Sequence, residues 1–152
     1  MRWSIVSLVV FAIDRLVKSF FVKNPDVHQD FLFGTAFRFV KNPGIAFSLS
    51  VPSALLIIII TGALVFLMFF MFRAGKSKRD FLFFAFSLVF LGALSNYIDR
   101  ILYSYVVDYV DFPYFTVLNI ADIMITLGLV LIVADEWLLS KAVAGKKQKN
   151  TL

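Results

Sequence analysis

The 152-residue sequence contains no cysteine and only one histidine, His28. Without cysteine the chain has no thiol nucleophile, no disulfide and no cysteine-ligated metal site. With one histidine it cannot build a multi-histidine zinc site, and a Ser-His-Asp triad would have to use His28. That histidine lies in a polar stretch typical of an exposed loop. The acid–base chemistry left to the chain belongs to Asp, Glu, Lys and Tyr, with Glu136 the only glutamate.

Charged residues are also few, at 16% of the chain, whereas 61% of the residues are hydrophobic and the mean hydropathy is +0.88. A soluble domain is nearer half apolar, so the composition predicts a membrane protein. The length suits one compact bundle. Each apolar run approaches the roughly 20 residues that cross the hydrocarbon core. The predicted spans are 3–22, 52–72, 81–98 and 120–139.

The basic residues cluster at the ends of apolar runs, at 73–79 and 141–149. The positive-inside rule places such clusters in the cytoplasm, and their position argues against a nucleic-acid partner despite the net charge of +5. Both termini are therefore predicted to be cytoplasmic. The predicted parts are a single membrane domain at 1–142, outer segments at 23–51 and 99–119, and a polar, disordered cytoplasmic tail at 143–152.

The outer segments have strand-like composition. Residues 31–33, 37–41 and 45–49 favour strands, and the second of these alternates between apolar and polar residues. Residues 42–44, Asn-Pro-Gly, fit a type II turn, and 103–112 is also strand-like. The predicted fold class is a membrane all-α protein, a bundle of four transmembrane helices with a small extracytoplasmic β-sheet or hairpin platform.

Two aspartates, Asp108 and Asp122, are the candidate catalytic pair. Asp108 is flanked by valines and a tyrosine, where a carboxylate carries a desolvation cost. Asp122 also suits the N-terminus of the fourth helix, where an acid is favourable. Acids are rare near a bilayer unless they have a function, and two nearby carboxylates can activate a water molecule.

Other polar residues fall at a similar predicted depth, near the outer membrane interface. Asp14 and Lys18 are four positions apart on one helix face and can pair. The remaining members are Asn42, Gly44, Asn96, Asp99 and Asn119. Structural roles stay open for several of them: an ion pair between helices for Asp14 and Lys18, and an interfacial clamp for Asp99 and Arg100. Asp111 has the character of a solvated loop residue.

Five short motifs occur in order along the chain. They are Asp14-x-x-x-Lys18, Asn42-Pro-Gly44-Ile-Ala46-Phe47, Gly92-Ala-Leu-Ser-Asn96-Tyr-Ile-Asp99-Arg100, Val106-Val107-Asp108 and Asn119-x-Ala121-Asp122. Together they resemble the lipoprotein signal peptidases (signal peptidase II), which are membrane aspartic proteases. The chain departs from the family pattern where Leu91 and Ser95 replace common glycines and Leu118 replaces a frequent phenylalanine. The stretch between the two aspartates is also short.

This resemblance implies a four-helix membrane bundle with an outer sheet, located in the bacterial cytoplasmic membrane. It implies cleavage of prolipoproteins on the amino side of a diacylglyceryl-modified cysteine, at a site near the extracytoplasmic face, with no metal or organic cofactor. By matching motif the catalytic dyad falls on Asp108 and Asp122. The implied supporting and substrate-binding residues are Asp14, Lys18, Asn42, Gly44, Asn96, Asp99, Arg100, Asn119 and Ala121.

Membrane lipid is a further expected partner, and a monomer is expected because one bundle can satisfy its own polar residues. Two alternatives from other classes remain open. The first is a small four-span transporter with intramembrane carboxylates, although such sites lie near the midplane whereas these acids cluster toward one face. The second is a structural or assembly subunit, in which the paired aspartates could be replaced without functional loss.

Overall fold

The computed structural model describes residues 2–44, 53–113 and 116–149, and four long helices dominate this part of the chain. α3 is the central helix, because it packs against each of the other three. In chain order the helices are α1 (Arg2–Lys23), α2 (Ser53–Lys76), α3 (Asp80–Tyr103) and α4 (Ile120–Lys149).

Many large apolar side chains on these helices point outward. Phe66, Phe69 and Val133 are each more than half exposed, whereas Ser95 and Asp99 on α3 are fully buried. This arrangement inverts that of a soluble bundle and suits helices whose solvent is lipid. Among the described residues, three helices are long and apolar enough to cross a membrane: Ala54–Lys76, Asp80–Tyr103 and Ile120–Lys141.

α1 falls outside that set because three charged residues interrupt its apolar sequence. The side chains of Asp14 and Lys18 are fully buried, and that of Arg15 is 21% exposed. Another face of the same helix exposes Leu8 and Leu16. These three charged groups therefore face the protein, while apolar side chains cover the outer surface of this part of α1.

Two glycines let α3 and α4 approach closely. A Cβ atom on Gly92 would lie 2.6 Å from the carbonyl oxygen of Ala121, and one on Gly128 would lie 2.6 Å from Cγ2 of Val89. Both distances are far below van der Waals contact, so a larger residue at either position would force the helices apart. The close packing brings the C-terminal half of α3 against the beginning of α4.

A four-stranded antiparallel sheet lies at the end of the bundle where α3 ends and α4 begins. The strands are β1 (His28–Asp30), β2 (Ala36–Asn42), β3 (Val106–Phe112) and β4 (Thr116–Leu118), in that spatial order. β2 and β3 pair with a register shift between Phe37 and Val40, and Val40 lies opposite Asp108. Phe21 of α1 stacks on Tyr109 of β3 with ring centroids 5.5 Å apart, which joins the sheet to the bundle.

The strands predicted within 37–41 and 103–112 are confirmed by β2 and β3. The strand predicted at 31–33 is wrong, because Leu32–Gly34 forms a 3-10 turn. Phe33 and Gly34 both have positive φ, 62° and 75°, and two consecutive left-handed residues cannot continue a strand. The strand predicted at 45–49 lies outside the described residues.

Three helices run further than predicted. α2 continues past residue 72 to Lys76. α3 continues past residue 98 to Tyr103 and ends at Ser104, whose φ of 65° is left-handed, so Asp99 and Arg100 lie in the helix. α4 continues to Lys149, so the disordered tail predicted from residue 143 is wrong over this stretch. Its composition, rich in Lys, Ala and Gln, favours helix. Residues 150–152 lie outside the described part.

Candidate active site

Asp108 lies in the middle of β3, where the adjacent strand and the start of α4 enclose it. Asp108 is only 2% exposed. Asn42 Nδ2 donates to its Oδ2 at 2.9 Å, and Asn119 Nδ2 donates to its Oδ1 at 2.6 Å. Each carboxylate oxygen therefore has one amide donor.

Asp122 lies in the first turn of α4 and forms a capping box with Asn119. The backbone N–H of Asp122 donates to Asn119 Oδ1 at 2.9 Å, and the backbone N–H of Asn119 donates to Asp122 Oδ2 at 3.2 Å. Such reciprocal bonds satisfy two donors that a helix N-terminus leaves free. Asp122 therefore caps the N-terminus of α4, as its position in the sequence indicated. The two capping bonds fix its carboxylate at that end of the helix.

Two amide side chains connect the aspartates. Asn119 Nδ2 reaches Asp108 at 2.6 Å and Asn96 Oδ1 at 3.2 Å, while Asn96 Nδ2 donates to Asp122 Oδ1 at 2.7 Å. Asn119 therefore binds Asp108 through its side chain and Asp122 through both its backbone and its side chain. The structure brings the two aspartates to opposite sides of one asparagine, although they come from a strand and a helix.

A buried charge cluster lies against this pair and holds α1 to α3. Lys18 Nζ is 2.7 Å from Asp99 Oδ2 and 3.3 Å from Asp14 Oδ2, and Arg15 Nη1 is 2.5 Å from Asp99 Oδ1. Two acids meet two bases, so the cluster is neutral and its desolvation is compensated by close pairing. The predicted pairing of Asp14 with Lys18 is confirmed. Lys18 also donates to Asn96 Oδ1 at 2.7 Å, which links the cluster to the aspartate pair.

Gly44 and Arg100 close one side of the site. Arg100 Nη2 donates to the carbonyl oxygen of Gly44 at 3.1 Å, and the backbone N–H of Gly44 donates to Asn42 Oδ1 at 3.2 Å. The segment 42–44 is therefore held by Arg100 of α3 at Gly44, and it contacts Asp108 through the side chain of Asn42. Residues 45–47, the remainder of that motif, lie outside the described residues.

Ala121 lies at the contact between α3 and α4. It is fully buried, its carbonyl faces Gly92 of α3, and its backbone N–H donates to Asp14 Oδ1 at 3.2 Å. The absence of a side chain at Gly92 permits this contact, which lies close to the bond between Asp122 and Asn96.

The electrostatics of Asp108 favour the protonated form. Burial and, to a smaller extent, the negative charge of Asp122 raise the pKa of its carboxyl from the ordinary 3.8 to about 6, against the lowering effect of hydrogen bonds from Asn42 and Asn119. Such a group can hold or release a proton near neutral pH. Within 2–44, 53–113 and 116–149, no group of three or more His, Asp or Glu side chains is placed to hold a metal ion.

One interpretation made from the sequence needs correction. The sequence indicates a solvated loop residue at Asp111, but it lies in β3, where Arg38 Nε reaches its Oδ2 at 2.6 Å. The structural role left open for Asp99 and Arg100 is divided between two contacts, because successive residues of a helix point in different directions. Asp99 faces the buried cluster, whereas Arg100 faces Gly44.

Three residues join the site that the sequence did not single out for it. Arg15 pairs with Asp99, Ser95 Oγ donates to Asp14 Oδ2 at 2.5 Å, and Tyr109 donates its hydroxyl to Asp14 Oδ1 at 2.9 Å. Arg15 and Ser95 each lie one position from a motif residue, which was the available signal. Tyr109 has the appearance of a core residue in an apolar strand.

Comparison with known proteins identifies relatives along most of the chain. The profile of the family described as signal peptidase (SPase) II matches residues 6–138. A lipoprotein signal peptidase of Shewanella pealeana is 35% identical over 162 residues, with 99% of this chain and 92% of the relative covered. One from Clostridium tetani is 32% identical over 137 residues, with 85% and 88% covered.

Two solved structures share the fold. Both are described as bacterial membrane enzyme structures obtained by the in meso method. The first has a TM-score of 0.79 at 30% identity and covers 94% of this chain and 90% of its own. The second has a TM-score of 0.76 at 28% identity, with coverages of 87% and 90%.

Proposed function

This chain belongs to the signal peptidase II family, and from that premise we propose that it removes the signal peptide from diacylglyceryl-modified prolipoproteins. The cut falls on the amino side of the lipidated cysteine. The chain is a bacterial membrane peptidase, and the names of its relatives support the lipoprotein substrate. A peptidase family match leaves the transporter and assembly-subunit alternatives without support.

Asp108 and Asp122 form the catalytic dyad in this proposal. The observation that carries it is their common attachment to Asn119, which holds both carboxylates at one place. Two carboxylates that are joined through one asparagine repel each other when both are ionised, so in this proposal they share one proton at working pH. The raised pKa of Asp108 supports such sharing.

The reaction is an attack of water on the scissile carbonyl. The ionised carboxylate takes a proton from the water, whose oxygen bonds to the carbonyl carbon. The protonated carboxyl donates a hydrogen bond to the carbonyl oxygen and stabilises its developing negative charge. Breakdown of the tetrahedral intermediate breaks the C–N bond, the leaving amine receives a proton from the dyad, and the resting state is restored. The two aspartates supply every proton transfer.

The other site residues position the dyad or the substrate. Asn96 and Asn119 donate to the carboxylates, and Asn42 binds Asp108 from the outer turn. Gly44, whose carbonyl oxygen accepts from Arg100, lies beside Asn42, where a substrate segment could lie. The positioning set is completed by Asp14, Lys18, Asp99 and Ala121.

The proposed topology has four spans and both termini in the cytoplasm. α1 serves as the fourth span, since its charged residues face the protein and its outer surface is apolar. The site and the sheet lie at one end of the helices, while the exposed basic residues Arg73, Lys76 and Lys78 lie at the other, and such residues favour the cytoplasmic side. The dyad then faces the extracytoplasmic surface, where a lipidated cysteine would present its peptide bond.

We further propose that residues 1–142 form one membrane domain that works as a monomer among lipids. Every buried side-chain N or O atom in the described part of the chain has a hydrogen-bond partner within it. A partner subunit is therefore not needed to satisfy the polar groups around the site.

Cleavage of a matched pair of substrates tests the proposed function. Purified protein in detergent receives a diacylglyceryl-modified prolipoprotein and, separately, the same precursor without the lipid. We expect cleavage of the lipidated precursor alone, with a product mass that begins at the modified cysteine. Equal cleavage of both precursors, or no cleavage by folded protein, would contradict the proposal.

A further inference from the structure

The hydroxyl of Tyr109 lies where α1, β3 and α4 meet. Tyr109 directly follows Asp108 in β3, and its residue is 2% exposed. Its ring stacks on Phe21 with the two planes 7° apart. The hydroxyl donates to Asp14 Oδ1 at 2.9 Å and accepts from the backbone N–H of Ile120 at 3.0 Å.

These contacts belong to a complete cap on α4. The first N–H groups of a helix have no partner within the helix. Here the hydroxyl of Tyr109 accepts from Ile120, the carboxylate of Asp14 accepts from Ala121 at 3.2 Å, and the side chain of Asn119 accepts from Asp122 at 2.9 Å. Three groups from three parts of the chain thus fix the turn that carries Asp122.

Of the three groups that cap α4, Tyr109 is the one that belongs to the same strand as Asp108. Because the two residues are adjacent in β3, a bond from Tyr109 to the first residue of α4 ties the backbone at Asp108 to the backbone before Asp122. The charge of Asp14 at the helix N-terminus strengthens the same attachment. Burial raises the pKa of the Tyr109 phenol above its usual range, so the hydroxyl keeps its proton and can donate to Asp14.

We propose that Tyr109 is a positioning residue that, through Asp14 and the N-terminus of α4, sets the separation of Asp108 and Asp122. The inference rests on the proposed function of these two aspartates. The hydroxyl contacts neither aspartate of the dyad and acts only through the N-terminus of α4. Its loss is therefore expected to change the geometry of the two aspartates and to leave substrate binding intact. Misplacement of reacting groups by about 1 Å can cost up to about a hundredfold in rate.

The test removes this hydroxyl alone. Tyr109→Phe keeps the ring that stacks on Phe21, and Tyr103→Phe is the matched control, since the Tyr103 ring stacks on Tyr105 outside the cap. With a lipidated precursor peptide, we expect kcat of Tyr109→Phe to fall about tenfold or more while KM stays within about twofold. The control is expected to match the wild type in both constants.

A double-mutant cycle separates positioning from general weakening of the fold. If Tyr109 acts through Asp14, adding Tyr109→Phe to Asp14→Asn lowers kcat little further than Asp14→Asn alone, whereas independent losses would multiply. Multiplying losses, a kcat of Tyr109→Phe equal to that of the wild type, or a loss confined to KM would overturn the proposal. The inactive Asp108→Asn variant is run beside them, so that failure of the dyad itself is recognised separately.

A second variant covers the case in which Tyr109→Phe does not fold. Ile120→Pro removes the N–H that donates to the Tyr109 hydroxyl, at the first position of a helix where proline is well tolerated. It also removes the isoleucine side chain, which packs against the cluster that contains Tyr109, so Ile120→Val is the matched control that keeps the N–H. A lower kcat with unchanged KM in Ile120→Pro relative to Ile120→Val supports the inference, and an equal kcat in the two variants contradicts it.

Discussion

The raised pKa of Asp108 predicts that Asp108→Asn gains stability relative to the wild type as pH rises from 4 to 7. The carboxyl has a pKa of about 6 when folded and 3.8 in an ordinary setting. Between these values the folded state holds the proton that the unfolded chain releases, so stability falls as pH rises through this window. The stability that the protonated Asp108 carboxyl contributes is fully present below pH 3.8 and is lost by pH 6. The difference between the two pKa values corresponds to about 3 kcal/mol in the free energy of unfolding.

The variant escapes this loss, because an amide does not ionise. The substitution has a cost of its own, because the NH2 group of the new amide cannot accept the hydrogen bond that Asn42 or Asn119 donates to one carboxylate oxygen, but this cost does not depend on pH. The melting temperature of Asp108→Asn relative to the wild type is therefore expected to rise by about 6–12 °C between pH 4 and pH 7. Thermal melting in detergent, followed by tryptophan fluorescence, measures this difference.

Asp111→Asn is the matched control, because it removes the same charge from the same strand at a partly exposed ion pair with Arg38. We expect no such gain with pH for the control. A constant difference between Asp108→Asn and the wild type from pH 4 to pH 7 would refute the reasoning. A melting temperature of the wild type that rises relative to that of Asp108→Asn as pH rises would also refute the reasoning.

Two further predictions concern packing and the cap. Gly128→Ala is expected to lower the melting temperature, since its Cβ would lie 2.8 Å from the carbonyl oxygen of Ala85. Gly62→Ala in α2 is the control, because its Cβ meets nothing within 4 Å, and it is expected to be neutral or stabilising. Equal effects of the two substitutions on the melting temperature would contradict the packing argument. Asn119→Ala is expected to lower the free energy of unfolding by about 2–4 kcal/mol, because it removes the helix cap and a donor to Asp108. It is also expected to abolish cleavage, and a wild-type melting curve and cleavage rate would contradict that role.

The helical part of the fold was largely predictable from hydropathy. Apolar runs of about membrane length located α2, α3 and α4, because lipid-facing helices need apolar side chains along their whole length. The helix ends were less predictable. α3 extends to Tyr103 since Asp99 and Arg100 find buried and backbone partners, which the hydropathy of the segment does not reveal. Likewise, α4 continues beyond residue 142 on local helix propensity that a hydropathy profile ignores.

The site was predictable where motifs carried it and less so where it depends on tertiary contacts. Spacing placed Asp14 with Lys18 and Asn119 with Asp122, since these pairs lie on one helix or at one helix start. The bond between Asp111 and Arg38 depends on how β2 and β3 pair, which composition does not specify. The bonds of the Tyr109 hydroxyl were also not predictable, because an aromatic residue in a valine-rich strand has the pattern of a core residue.

The central claim is that Asp108 and Asp122 together cleave a lipidated precursor, and the most direct measurement is the initial rate of cleavage by single variants. Asp108→Asn and Asp122→Asn are compared with the wild type and with Asp111→Asn, which removes an acid outside the dyad. Folding of each variant is verified by its melting curve. The account predicts no cleavage by either dyad variant and a wild-type rate for Asp111→Asn. Full turnover by folded Asp108→Asn or Asp122→Asn would contradict it.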